Sequence, residues 1–393
     1  MNIRDLARSF HEEGVAYRRM IHKHPELSGQ EYATAEFVED QLSEWGIANF
    51  RVGDTGVVGI IDSGIPGKTV ALRADMDALP INEETGVEYA SVVPGVMHAC
   101  GHDCHTSGLM IAAKILSTLH KTDGKAFAGK IKLIFQASEE KAPGGAGIMV
   151  RNGIMDDVDG IFGLHVMPNM DVGTISVDPG PRMAASLRAH IHVKGKGGHG
   201  GAPHETIDAI VAGSAIVMNL QTLVSRELPV FEPVAVTVGL FHGGEAHNVV
   251  AQDAHLAATI KFFNSELRDR ISEGITRVAK KTAETFRASC EVSVEGYGPP
   301  VVNSFPLSER AKKTAESLVG RDAVVHFPPW SASEDFSSYL ERVPGVFAFI
   351  GTRNSSAGLD YPVHHGKFNV DERVLEIASS FYAQFAVDFL GTP

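Results

Sequence analysis

Lys130-Ile131-Lys132-Leu133-Ile134-Phe135-Gln136-Ala137-Ser138-Glu139-Glu140 is an apolar run of strand length that passes, without a turn residue, into two adjacent carboxylates. Open α/β sheets bind ligands in the crevice outside the carboxyl ends of their strands. Taken alone, Glu139-Glu140 reads more readily as a solvated pair. Two other runs repeat the arrangement, however. A predicted strand at 69–74 ends in Arg73-Ala74-Asp75-Met76-Asp77, and one at 161–166 carries His165 near its end. A further strand is expected at 57–62. With helices predicted over 2–22, 31–45 and 106–120, the first part of the chain reads as α/β: a mixed central sheet flanked by helices, its chemistry gathered along one edge.

Between the second and third of these strands lies Met97-His98-Ala99-Cys100-Gly101-His102-Asp103-Cys104-His105-Thr106-Ser107-Gly108. Residues 98–105 hold three histidines, two cysteines and an aspartate, a density of donors that suits a transition metal. Six donors exceed one tetrahedral site, so some must serve a second ion or orient ligands from behind. Gly101 and Thr106-Ser107-Gly108 read as turn residues, and turns carried by a rigid scaffold are where function concentrates. The plain alternative is a set of satisfied core residues at a strand end.

The chain has 393 residues, more than one hydrophobic core usually serves, so two domains are expected. Apolar residues make up 44% and charged ones 21%, which excludes a disordered chain. The formal charge is −13, with no Lys/Arg run, which argues against nucleic acid or an anionic membrane as partner. The start of the chain has no apolar signal core, and the apolar run 209–220 is too short to span a bilayer. Three cysteines cannot all pair with one another, which fits a reducing, cytoplasmic setting.

From Ser186 the texture changes. A strand at 189–194, a glycine-rich loop at 195–204, a helix at 206–224, strands at 233–240 and 255–263, a helix at 267–286 and a strand at 291–295 give the order β-α-β-β-α-β of a ferredoxin-like sandwich. The expected boundaries are 1–185 with 299–393 for a discontinuous metal-binding catalytic domain, and 186–298 for the inserted one. The glycine-rich loop lacks the Lys-Ser/Thr ending of a P-loop and the setting of a dinucleotide fingerprint. Its histidines, and Gly243-Gly244-Glu245-Ala246-His247-Asn248, are better placed to face substrate. Past residue 300 the first domain resumes, with a helix at 307–319, a strand at 345–351, Val363-His364-His365 and a helix at 371–390.

Cys100, His102, Asp103, Glu139, Glu140, His165 and His364 suffice for two catalytic metal ions with a carboxylate left over as base. At this point the chain resembles the M20 metallopeptidase clan. The resemblance rests on His98-Ala99-Cys100-Gly101-His102-Asp103, Glu139-Glu140, Gly163-Leu164-His165, Gly195-Lys196-Gly197-Gly198-His199 with Pro203-His204, Ser333-Glu334-Asp335-Phe336 and Val363-His364. It is strongest with the amidohydrolase branch of hippurate hydrolases, N-acyl-amino-acid amidohydrolases and auxin-conjugate hydrolases.

The resemblance implies a zinc-exopeptidase-like catalytic domain with an inserted ferredoxin-like lid and dimerisation domain. It implies two divalent ions, Zn2+ or else Mn2+, Co2+ or Ni2+, held by Cys100, His102, Glu140, His165 and His364, with Glu139 as general base. His199 would stabilise the oxyanion in a partner subunit, within a homodimer or dimer of dimers, and Asn248, His204 and Lys261 would contact an N-acyl amino acid or dipeptide-like substrate. Asp77 and Asp103 would orient ligands from behind. Lys261 stands where the branch usually has Arg, and a lysine cannot grip a carboxylate with a planar fork. Dipeptide or other C–N bond hydrolysis, a metal-binding relative without turnover, and a redox role for the C-x-x-x-C pair Cys100 and Cys104 are the competing readings.

Overall fold

The computed structural model describes residues 2–391. The chain divides into two compact units, each with its own core: one takes the chain up to Arg182, Val302–Pro328 and the chain from Asp335 onward; the other takes Met183–Val301 and Pro329–Glu334.

The first unit opens with α1 (Ile3–Ser9), α2 (His11–Lys23) and α3 (Tyr32–Glu44), followed by β1 (Ala48–Val52), β2 (Gly56–Asp62), β3 (Thr69–Asp75), α4 (His102–Thr122), β4 (Lys130–Gln136), β5 (Gly160–Asp171) and β6 (Ile175–Ser176). The second unit contributes β7 (Ala185–Lys194), α5 (Ala209–Thr222), β8 (Val234–Gly243), β9 (Asp253–Phe262), α6 (Arg268–Thr285) and β10 (Ser289–Gly298). The first then resumes with α7 (Phe305–Val319), β11 (Gly345–Arg353) and α8 (Val374–Leu390).

Among the described residues, seven strands of the first unit form one mixed sheet in the order β1-β2-β4-β3-β5-β11-β6. β3 runs parallel to β4 and β5, and β5 parallel to β11, with antiparallel strands towards both edges. The parallel strands are buried on both faces, as helix-covered strands must be, and read as near-continuous apolar runs. Their shared direction brings the ends of β3 and β4 side by side, with Asp75 opposite Gln136. His165 on β5 lies opposite Phe349 on β11.

Two helical expectations change. The single helix expected over 2–22 is two, because Phe10 leaves the helical region with φ −98° and ψ 7°. The Thr106-Ser107-Gly108 turn is absent: α4 begins at His102 and runs straight through it. α4 packs against α2, α8 and β3 and is buried almost end to end, so it shows no polar face. Its hydroxyls are satisfied internally, Thr106 donating to the Asp75 carbonyl and Ser107 to that of Asp103 (each 2.7 Å).

The second unit is a four-stranded antiparallel sheet in the order β8-β9-β7-β10, with α5 and α6 on one face, the ferredoxin-like arrangement. The apolar run at 209 continues through a π turn to Glu227, 19 residues that by length and composition alone could cross a membrane. Ala212, Ile216, Leu220 and Leu223 of that run lie in the unit's core, which gives it the burial of a packed amphipathic helix.

Candidate metal centre

The turns that carry the donors have unusual backbones. Gly101 caps α4 at φ +90°, and a Cβ there would lie 2.3 Å from Val166 Cγ2. Ser138, just before Glu139, and His364 hold φ 54° and 64°, a region that side-chain-bearing residues rarely occupy. Strain of this kind persists only where the surroundings enforce it. The Glu139-Glu140 loop is closed by the Gly145 N–H on the Ser138 carbonyl (2.9 Å), and a Cβ on Gly145 would stand 1.8 Å from the Ala137 oxygen.

These turns bring together donors from four segments. Cys100, His102 and His165 form one trio, and Cys100, Glu140 and His364 a second, with potential ligand atoms in each within 4.8 Å of one another; Glu139 stands in a third such group with His102 and Glu140. Cys100 is thus common to two trios. The histidines are aimed from behind. His102 Nδ1 faces the Asp77 carbonyl (2.8 Å) and carboxylate (3.2 Å), and His165 Nδ1 faces the Val166 carbonyl (2.7 Å), so in each ring Nε2 is left for the centre. His165 Nε2 lies 3.4 Å from Cys100 Sγ. His102 Nε2 and Glu140 Oε1 are buried with no hydrogen-bond partner. Buried polar atoms are rarely left so, and both suit a cation as partner. A further trio of Asp75, His102 and His105 is not a site of this kind. His105 spends both nitrogens on protein, Nδ1 donating to Asp75 (2.6 Å) and Nε2 accepting from the Val166 N–H (2.9 Å).

The electrostatics agree. Burial alone would lower the His102 pKa, but the carboxylates of Asp75, Asp77 and Glu140 override it and push it up to about 10. Burial, then the neighbouring carboxylates of Glu140, Glu139 and Asp75, hold the Cys100 thiol well above its ordinary range. Anions crowd this pocket, and a divalent ion would relieve both shifts.

Asp77 supports the centre twice: besides His102, it accepts from the Glu140 N–H (2.9 Å) and the Ser28 hydroxyl (2.6 Å). Asp103 does not join it. One residue further round α4 than His102, it faces Arg18 Nε and His22 Nδ1 (each 2.8 Å). Within the second unit, His199 pairs with Val249 across a two-stranded ladder, beside Asn248, whose carbonyl accepts from the Gly200 N–H. His199 Nδ1 accepts from the Gly201 N–H (3.0 Å), which leaves Nε2 as the donor. His204 is exposed on the 3-10 turn Pro203–Glu205. Lys261 is elsewhere: its Nζ donates to Ser333 Oγ (2.7 Å) near the far end of β9.

The sequence reading missed several supports. Glu31 accepts from the Ser138 N–H (2.8 Å) and the Thr55 hydroxyl, fixing the strained turn before Glu139. Arg73 bonds Asp75 (2.6 Å) and Asp335 (2.9 Å), and Asp335 accepts from the Ala146 N–H just past the loop. An arginine within an otherwise apolar buried strand was the one available signal.

The profile of peptidase family M20/M25/M40 matches residues 71–388. The chain is 38% identical to thermostable carboxypeptidase 2 of Saccharolobus solfataricus, over 95% of each chain. It is 44% identical to an N-acyl-L-amino acid amidohydrolase of Geobacillus stearothermophilus, over 74% of this chain and 77% of that one. A dinuclear metal binding peptidase of the M20 family from Bacillus subtilis superposes with a TM-score of 0.85 at 34% identity, covering 98% of this chain and 100% of its own. With its mixed sheet, its converging donors and these relatives, the chain is a hydrolase that belongs to peptidase family M20/M25/M40.

Proposed function

We propose that this enzyme hydrolyses the amide bond of N-acyl amino acids, using two divalent ions held by Cys100, His102, Glu140, His165 and His364. The observation that carries the reading is the pair of donor trios sharing Cys100, beside a carboxylate that the trios leave over. Bound there, two ions would acidify a water and polarise the scissile carbonyl. Glu139, 6% exposed and grouped with His102 and Glu140, takes the proton of the attacking water and delivers it to the leaving nitrogen. Thiolate and imidazole donors favour Zn2+, while the mixed N/O/S set also accepts Mn2+, Co2+ or Ni2+. The name of the amidohydrolase relative supports an N-acyl amino acid over a longer peptide, and that of the carboxypeptidase keeps dipeptides in the test.

Lys261 would hold the substrate carboxylate as a point charge, with Ser333 beside it. His199 would donate Nε2–H to the developing oxyanion, Asn248 and His204 lining the same side. These two groups cannot serve one substrate from one chain. Gln252 packs beside Gly197 at the start of β9, and Lys261 lies eight residues beyond Asp253, about 26 Å along the strand. A ligand of two-residue size extends about 7 Å. A homodimer, or a dimer of dimers, in which one copy lends His199 to the other resolves the distance. β8 supports this: it is the edge strand of its sheet, next to exposed Val211 and Met218 on α5, a surface that a second copy would cover. Three free cysteines suit a cytoplasmic enzyme.

The test is amine release from N-benzoylglycine, N-acetyl amino acids, indole-acetyl conjugates and dipeptides, by metal-stripped protein with Zn2+ or Mn2+ restored. Metal-dependent cleavage of an N-acyl member supports the reading. Cleavage of dipeptides alone moves the enzyme to peptidase chemistry.

A further inference from the structure

We propose that the open face of the second unit's sheet is a further metal site, one that takes a single divalent transition ion such as Ni2+ or Cu2+ through surface imidazoles. The helices cover one face, where Leu187, Ile191 and Val193 of β7 and Leu256 and Ile260 of β9 are buried. By the period of two, the residues between them face the other way. On that open face the register sets His242 of β8 opposite His255 of β9, His255 opposite His192 of β7, and His192 opposite Glu291 of β10. His190 occupies the next outward position on β7. Four of the chain's 18 histidines are therefore gathered on one sheet face, far more than a merely solvated face requires.

The central pair is close enough to share an ion after a rotamer change. The rings of His192 and His255 are stacked, centroids 4.0 Å apart and 13° from parallel, so their in-plane lone pairs run side by side and converge on one ion once a ring turns about its side-chain bonds. His192 Nε2 lies 2.9 Å from Asp253 Oδ1. That contact is an imidazole–carboxylate hydrogen bond, which an ion taken by both groups would replace. Directly opposed residues on adjacent strands have Cβ atoms about 5 Å apart, which brings His242 within reach of the same point by a rotamer change. The nearby cation, Lys194, is drawn to Glu291 (2.6 Å), away from Asp253.

Equilibrium dialysis of the Zn2+-loaded holoenzyme against about 0.1 mM Ni2+, followed by elemental analysis, tests the site. One Ni2+ per chain is expected above the zinc content. The double variant H192Q/H255Q is expected to lose that ion while keeping its zinc and its amide hydrolysis. Equal nickel uptake by the double variant, or none by the parent, overturns the proposal. A second readout is the electron paramagnetic resonance spectrum of the first equivalent of Cu2+ on the Zn2+-loaded parent and on H192Q/H255Q, with the zinc retained by each checked by elemental analysis. Nitrogen splitting from two or more imidazoles is expected in the parent, with zinc retained, and not in the variant; the same splitting in both, or a parent spectrum of oxygen ligands alone, overturns the site.

Discussion

Glu139 and Glu140 are the same residue type one position apart, and the proposed function gives them different work. The Glu140 amide is held by Asp77, and its Oε1, buried without a hydrogen bond, lies 3.3 Å from His364 Nε2, as suits a pair of ligands to one ion. Replacing Glu139 by Gln is expected to leave the metal content intact and lower kcat about 10²–10⁴-fold, while Glu140→Gln loses bound metal; elemental analysis beside steady-state rates separates the two. Such donors were legible in the sequence because cysteine, histidine and paired carboxylates are conspicuous at strand ends. Their supports were not, because Glu31 meets Ser138 across 107 residues of chain and Arg18 meets Asp103 across 85. Asp103 illustrates the cost of such pairs. It is buried, and despite that burial Arg18 and His22 hold its carboxyl well below the usual range. A carboxyl depressed in the folded state adds stability above its unfolded pKa, and that stability drains away as pH falls below it. Asp103→Asn leaves the Arg18 charge buried and is expected to cost about 3–5 kcal/mol in urea unfolding at neutral pH. It should also show a shallower loss of stability from pH 5 downward.

At the scale of elements, strands were read well, because buried parallel strands are short apolar runs bounded by turn residues. Helix limits were read less well where tertiary packing overrides local signals. Thr106-Ser107-Gly108 has turn chemistry, yet α4 holds it in a helix because the hydroxyls find backbone oxygens and the whole element is enclosed. The start of α4 depends on Gly101 alone for its turn. Gly101→Ala must both adopt a left-handed φ and push against Val166, and is expected to weaken metal retention in dialysis at least tenfold while α4, by circular dichroism, persists. On the other unit, Met218 is 70% exposed on α5 beside the β8 edge. Met218→Glu is expected to convert a dimer to monomers by light scattering and to lower turnover with it. A monomeric parent of full activity would end the case for a shared site.

For the whole molecule, two separate cores imply two cooperative units, so calorimetry should resolve two transitions. Stripping the metal should move only the first unit's, since a ligand at 100 times its Kd adds about 2.7 kcal/mol to the unit that binds it. The insertion was legible as a change of texture near residue 186. The six residues 329–334 were not, since they carry no periodic pattern and join the second unit through bonds from the Ala184 N–H to the Trp330 and Ala332 carbonyls. The position of β11 has a consequence in time. It lies between β5 and β6 in space, but is made only after the entire second unit. At about 5–20 residues per second a ribosome needs roughly 9–35 s to travel from the end of β5 to the start of β11. Throughout that interval the nascent chain displays a bare, apolar strand edge and lacks His364, the last of the proposed ligands. Birth of this enzyme therefore includes a waiting period in which the half-made sheet keeps an open edge of the kind that invites pairing with other chains.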